Sequence, residues 1–84
     1  MTPRRVIVHL HAQAADLAGA REVVLGLGAE ATSADLKRAL GDAYPGLSGL
    51  LDSGAVATER EYLSDAAPLG PGERFHFVPP VSGG

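Results

Sequence analysis

The sequence has no cysteine in its 84 residues, which excludes a disulfide framework, a thiolate metal site and a cysteine nucleophile. No apolar run is long enough to cross a bilayer and no secretory signal opens the chain, so neither a membrane helix nor export is expected. Basic residues are few and scattered: Lys and Arg total 7 against 10 Asp and Glu, and a formal charge of −3 lacks the concentrated basic patch that nucleic acid calls for. The expectation is a cytoplasmic protein with neither membrane nor nucleic acid as a partner. Small size excludes more. A chain this short buries only about 60% of its unfolded surface, which suits one sheet with one packed helix and leaves no room for a large substrate cavity. The glycines at 26, 28, 41, 46, 49 and 54 lack the spacing of a phosphate loop, and Ser64-Asp65 with a distant His is no triad, so no bound nucleotide or cofactor is expected.

What is present reads as alternating strands around one helix. From Arg4 to His11, Val6, Val8 and Leu10 fall on one face and Arg5, Ile7, His9 and His11 on the other, a strand signal with β-branched support. Ala12 to Ala18 suits one or two helical turns closed by Gly19, and Arg21 to Leu27 is a second strand with Val23, Leu25 and Leu27 inward. The first two strands are expected to be antiparallel neighbours. Thr32 and Asp35 have capping-box spacing at the start of the main helix; Leu36, Ala39, Leu40 and Ala43 form its predicted buried stripe, with Lys37, Arg38 and Asp42 facing water. Tyr44-Pro45-Gly46 stops it. Leu47, Leu50 and Leu51 are expected to fold back under the sheet. Ala55 to Glu59 and Glu61 to Leu63 are short predicted strands, Ser64 to Gly72 is a loop plugged by Leu69, and the last strand runs from Glu73 to Val78.

The final residues, Phe75-His76-Phe77-Val78-Pro79-Pro80-Val81-Ser82-Gly83-Gly84, carry the functional signal. Alternate aromatics anchor a strand, and two prolines then end it because neither offers an N–H to a ladder. After Val81 nothing large remains. Two glycines make a thin tail that a narrow channel in another protein can admit where any Cβ would clash. The competing reading is a frayed terminus without function. The rigid proline step, the anchoring strand and the lack of a polar extension count against it.

The order strand, strand, helix, strand, strand, strand in so few residues predicts an α+β chain of β-grasp (ubiquitin-like) type, a mixed four- to five-stranded sheet with one main helix packed on one face, the last strand beside the first. Residues 1–80 would be the β-grasp domain and 81–84 its flexible tail. The chain resembles the small subunit of molybdopterin synthase, within the ubiquitin-like sulfur carriers that include the thiamine sulfur carrier. The resemblance rests on Ala12-Gln13-Ala14-Ala15-Asp16-Leu17-Ala18-Gly19, Ala31-Thr32-Ser33-Ala34-Asp35-Leu36, Pro68-Leu69-Gly70-Pro71-Gly72-Glu73 and, above all, Pro79-Pro80-Val81-Ser82-Gly83-Gly84. His9 and His11 depart from the bulky apolar residues usual in such proteins, and Thr58-Glu59-Arg60 replaces a Val-Asn-Gly-like turn.

The resemblance implies a carrier that is non-catalytic alone. Its Gly84 carboxyl would be adenylated by an ATP-dependent E1-like enzyme and converted by a sulfur donor system to a thiocarboxylate, which then gives sulfur to a precursor pterin in the large synthase subunit. Val81, Ser82 and Gly83 form the tail that reaches the partner, and Phe77, Val78, Pro79 and Pro80 are the expected docking patch. Carriers for another pathway (thiamine, an amino acid or tRNA thiolation) and a ubiquitin-like protein modifier remain as alternatives. His9, His11 and His76 make a three-His metal site geometrically conceivable. Nothing in the sequence supplies groups to orient such ligands, and histidines on a solvent-facing strand need no metal, so none is expected.

Overall fold

The apolar–polar alternation that opens the chain becomes a strand whose inner residues are shielded from water, with Val6 and Val8 at 0% exposure. The computed structural model describes residues 4–80. In chain order it places β1 (Arg4–Leu10), α1 (Gln13–Ala18), β2 (Glu22–Leu27), α2 (Ser33–Ala43), a 3-10 turn (Pro45–Leu47), α3 (Ser48–Leu51), β3 (Ala55–Ala57), β4 (Tyr62–Leu63) and β5 (Arg74–Val78). The strands form one five-stranded sheet in the order β2-β1-β5-β3-β4. β1 pairs antiparallel with β2 and parallel with β5, and β5 pairs antiparallel with β3. This is the β-grasp arrangement, with the last strand central as predicted.

One face of the sheet carries the core. Val6, Val8, Leu10, Val23, Leu25, Leu27, Val56, Phe75 and Phe77 turn inward to meet Leu36 and Leu40 of α2. Local chemistry sets where α2 begins: the Thr32 N–H donates to Asp35 Oδ2 at 2.9 Å and the Asp35 N–H donates to Thr32 Oγ1 at 3.3 Å, the reciprocal box read from the sequence. The backbone N–H and then the hydroxyl of Thr32 hold the Asp35 carboxyl below its ordinary value against an opposing desolvation, with Arg38 adding a lesser downward pull. The Ser64 to Gly72 loop is fastened to this helix start, since the Ser33 N–H donates to the Ala67 carbonyl at 2.9 Å and the Leu69 N–H to that of Ala31 at 3.1 Å. Leu69 is the buried plug expected of it. Arg4 closes the far end of the loop by donating to the Gly70 and Gly72 carbonyls, each at 2.7 Å.

Three expectations are corrected. Ala43 does not join the buried stripe; it is exposed in the last turn of α2, and Leu47, at 0% exposure in the following turn, supplies the apolar surface instead. Lys37 does not simply face water, because its ammonium is drawn onto Asp65 of the fastened loop at 2.8 Å. The third predicted strand stops at Ala57, two residues early, because Thr58 Oγ1 accepts from the N–H groups of Arg60 and Glu61 and so turns the chain.

Leu40→Ala tests the core directly. With Leu40 fully buried, the substitution is expected to cost roughly 2–5 kcal/mol. Urea unfolding would measure it, and a loss below about 1 kcal/mol would place Leu40 outside the core.

Candidate functional site

The candidate site is the place where β5 ends and the chain heads toward its last residues. β5 is held on both sides: Phe75 lies opposite Val8, Phe77 lies opposite Leu10 on one flank and Val56 on the other, and Val78 lies opposite Ala55. The His11 N–H donates to the Phe77 carbonyl at 3.3 Å, the last bond of the parallel ladder. Pro79 and Pro80 follow and continue no ladder, Pro79 buried and Pro80 exposed. The approach beneath Phe77 is close. A Cβ on Gly54 would lie 2.6 Å from Phe77 Cε1 and 2.9 Å from the Leu50 carbonyl oxygen, so only glycine lets the α3–β3 turn pass under the ring.

These positions revise the expected docking patch of Phe77, Val78, Pro79 and Pro80. Phe77 belongs to the inner face at 0% exposure, so its side chain is an anchor and leaves the patch. Val78 is half-buried on the outer face and Pro80 is exposed, so these two offer apolar surface at the exit. Beside them a hollow of about 310 Å³ lies between His11, His76 and the β3–β4 turn. Val81, Ser82, Gly83 and Gly84, the expected tail and reactive end, lie outside the described residues.

The outer face of the sheet also brings the three histidines together. Register places His9 opposite both Glu22 and His76, and His76 opposite Ala57. The His9 and His76 rings stack with centroids 5.3 Å apart, and His11 lies 5.1 Å from His76 on the other side. Glu59 Oε1 is 2.8 Å from His76 Nε2, and Glu22 Oε2 is 3.0 Å from His9 Nε2. An ionised carboxylate only accepts, so neutral His76 carries its proton on Nε2 and its Nδ1 accepts from His11 Nε2, 2.9 Å away. Among the described residues no group of three or more His, Asp or Glu is arranged to hold a metal ion. The network is a polar cluster of three histidines and two carboxylates on the outer face of the sheet.

Two of its members were not singled out from the sequence. Glu22 could have been found, because antiparallel pairing of the first two strands puts it opposite His9. Glu59 could not. It reaches His76 only because Thr58 turns the chain after β3.

The network has a pH signature through Glu59. The hydrogen bond from His76 and then that ring's charge hold the Glu59 carboxyl below its ordinary value, with smaller help from His9 and Arg74 against desolvation. A depressed folded-state value contributes stability above the unfolded value, and the contribution is lost as pH falls through the folded one. Wild type is therefore expected to melt higher than Glu59→Gln at neutral pH, with the gap closing below about pH 4. Melting curves across that range would show it; a gap constant with pH would contradict the assignment.

Comparison with known proteins agrees with this geometry. The crystal structure of SAMP1 from Haloferax volcanii superposes with a TM-score of 0.79 at 30% identity, covering 96% of this chain and 100% of that one. A Pyrococcus furiosus protein described as a putative molybdopterin converting factor, subunit 1, superposes with a TM-score of 0.77 at 24% identity over 92% of this chain and 98% of that one, a likeness of fold. The solution structure of the small archaeal modifier protein 1 of Methanosarcina acetivorans gives 0.66 at 20% identity, each chain covered in full. The ThiS family model matches residues 8–84. With nearly the whole chain matched from mid-β1 through the glycine pair, and with the last strand central in a β-grasp sheet, the protein belongs to the ThiS family.

Proposed function

We propose that this chain is a sulfur carrier in molybdenum cofactor biosynthesis, acting as the small subunit of a molybdopterin synthase. The observation that carries the reading is that the family match runs through Gly83 and Gly84, so the side-chain-free end belongs to the matched pattern. The choice of pathway rests on the resemblance of Pro79-Pro80-Val81-Ser82-Gly83-Gly84 to that branch. Residues 1–80 act as the body and 81–84 as the tail.

The chemistry requires outside help. A carboxylate is a poor acyl donor because its leaving group would be oxide. An oxygen of the Gly84 carboxylate attacks the α-phosphate of ATP in an adenylating partner, pyrophosphate departs, and an acyl-adenylate remains. Hydrosulfide from a donor system then adds to the Gly84 carbonyl, a C–S bond forms, the C–O bond to AMP breaks, AMP leaves, a proton passes to water and the thiocarboxylate results. Inserted in the large subunit, that sulfur attacks a carbon of the precursor pterin and displaces an oxygen substituent there; water then cleaves the Gly84 C–S bond, which leaves the sulfur on the pterin and restores the Gly84 carboxylate, two carriers serving one dithiolene. This chain contributes reach and recognition, with Val78 and Pro80 docking at the exit; the partners supply acids, bases and oxyanion donors. Apolar contacts beside a rigid proline step lose little entropy on binding.

A second reading is favoured by one observation. The Haloferax volcanii protein of the same name as a small archaeal modifier protein is 30% identical, which supports capture of the activated glycine by a lysine amine of another protein.

Intact-mass measurement on the protein purified from its own cells separates the readings. A carrier shows one sulfur replacing one oxygen, located at Gly84 by fragmentation. Gly-Gly remnants on lysines of other proteins with no thiocarboxylate would replace it with the modifier reading, and co-purification of a large synthase subunit would fix the pathway.

A further inference from the structure

The seven basic side chains of this sequence are unevenly divided: six are arginine, and Lys37 is the single lysine. Guanidinium groups remain protonated and do not accept acyl groups at neutral pH. Lys37 is therefore the sole side-chain amine through which one copy could capture the activated carboxyl of another. It is poorly placed to do so. Its side chain is 12% exposed, and Nζ is 2.8 Å from Asp65 Oδ1.

Backbone geometry sets this contact in advance. The Ala34 N–H donates to the Asp65 carbonyl at 2.9 Å and the Ser33 N–H to that of Ala67 at 2.9 Å, so Asp65 is fastened against the turn of α2 that carries Lys37. A hollow of about 230 Å³ beside the pair adds a second carboxylate, Asp52, with Arg38 on its rim. An ammonium donating to Asp65 has no lone pair to offer. It must lose a proton and leave its partner before it attacks, and the two carboxylates disfavour the anionic donors in play, an acyl-adenylate or a thiocarboxylate.

We propose that Lys37 is a shielded amine, and that its ion pair with Asp65 prevents this protein from being acylated by its own activated copies. The proposal rests on the activated Gly84 described above. The reaction excluded is attack of Lys37 Nζ on a second copy's Gly84 carbonyl. In it a C–N bond would form, the C–S or C–O bond would break with release of hydrosulfide or AMP, and the amine proton would pass to water. Arginine in the other six positions keeps basic charge without adding acceptors. The activated group then goes outward to a partner, and any conjugate made by this protein carries one copy and no chain of copies linked through Lys37.

The test uses the full chain and no activating enzyme, so it stands apart from the sulfur-carrier reading. The protein is treated with the N-hydroxysuccinimide ester of acetic acid, native and in urea, and Lys37 acetylation is followed by peptide mass spectrometry. Native Lys37 is expected to react at least about tenfold more slowly than in urea, because the folded amine is covered and paired. Asp65→Asn, at an exposed position, should raise the native rate several-fold and leave the urea rate unchanged. Equal native and urea rates, or no response to Asp65→Asn, would overturn the proposal. In a second arm, chain carrying a chemically installed C-terminal thioester should give Lys37-linked dimers with Asp65→Asn and none with wild type; dimers in wild type would overturn it as well.

Discussion

Burial of two aromatic side chains on one strand is the constraint from which the rest follows. Phe75 and Phe77, at 1% and 0% exposure, can be covered only if β5 lies in the middle of the sheet with β1 on one side and β3 on the other. β1 and β5 run parallel, which a short hairpin cannot achieve, so α2 and its flanking turns form the crossover. Covering Phe77 also requires Gly54 beneath its ring. Burying a large aromatic contributes on the order of 2–3 kcal/mol, enough in a domain this small to fix the strand's register and hence the point from which Pro79 and Pro80 lead the chain away.

Division of labour follows from the same architecture. The inner face of the sheet is committed to the core, the outer face holds the histidine and carboxylate network, and the end of β5 leaves Val78 half-buried and Pro80 exposed. The polar groups of the outer face sit beside the exit, with His11 and His76 sharing a hollow with Val78. The one lysine lies elsewhere, held by Asp65 next to α2.

The elements with strong local signals were legible in the sequence: the alternation of β1, the Thr32–Asp35 box, the Leu69 plug and the centrality of the last strand. Periodicity is a local property, and it foretells burial well where an element is long. It failed where one element's end is overtaken by another. Ala43 keeps the helical spacing yet lies exposed because Leu47 fills the core after the Pro45 turn, and β3 stops short because the Thr58 hydroxyl captures the next amides. Long-range pairs were the least visible. Lys37–Asp65 and His76–Glu59 join residues whose proximity depends on loop paths, and no sequence pattern announces those. Phe77 was read both as anchor and as docking residue, and strand alternation decides for the anchor.

The central claim is that a firmly held strand delivers a side-chain-free carboxyl end to an enzyme that charges it. ATP–pyrophosphate exchange catalysed by the adenylating partner measures that event most directly. Exchange should depend on this protein and vanish when Gly84 alone is removed, while the melting temperature stays that of wild type. Undiminished exchange without Gly84, or unfolding on its removal, would contradict the account.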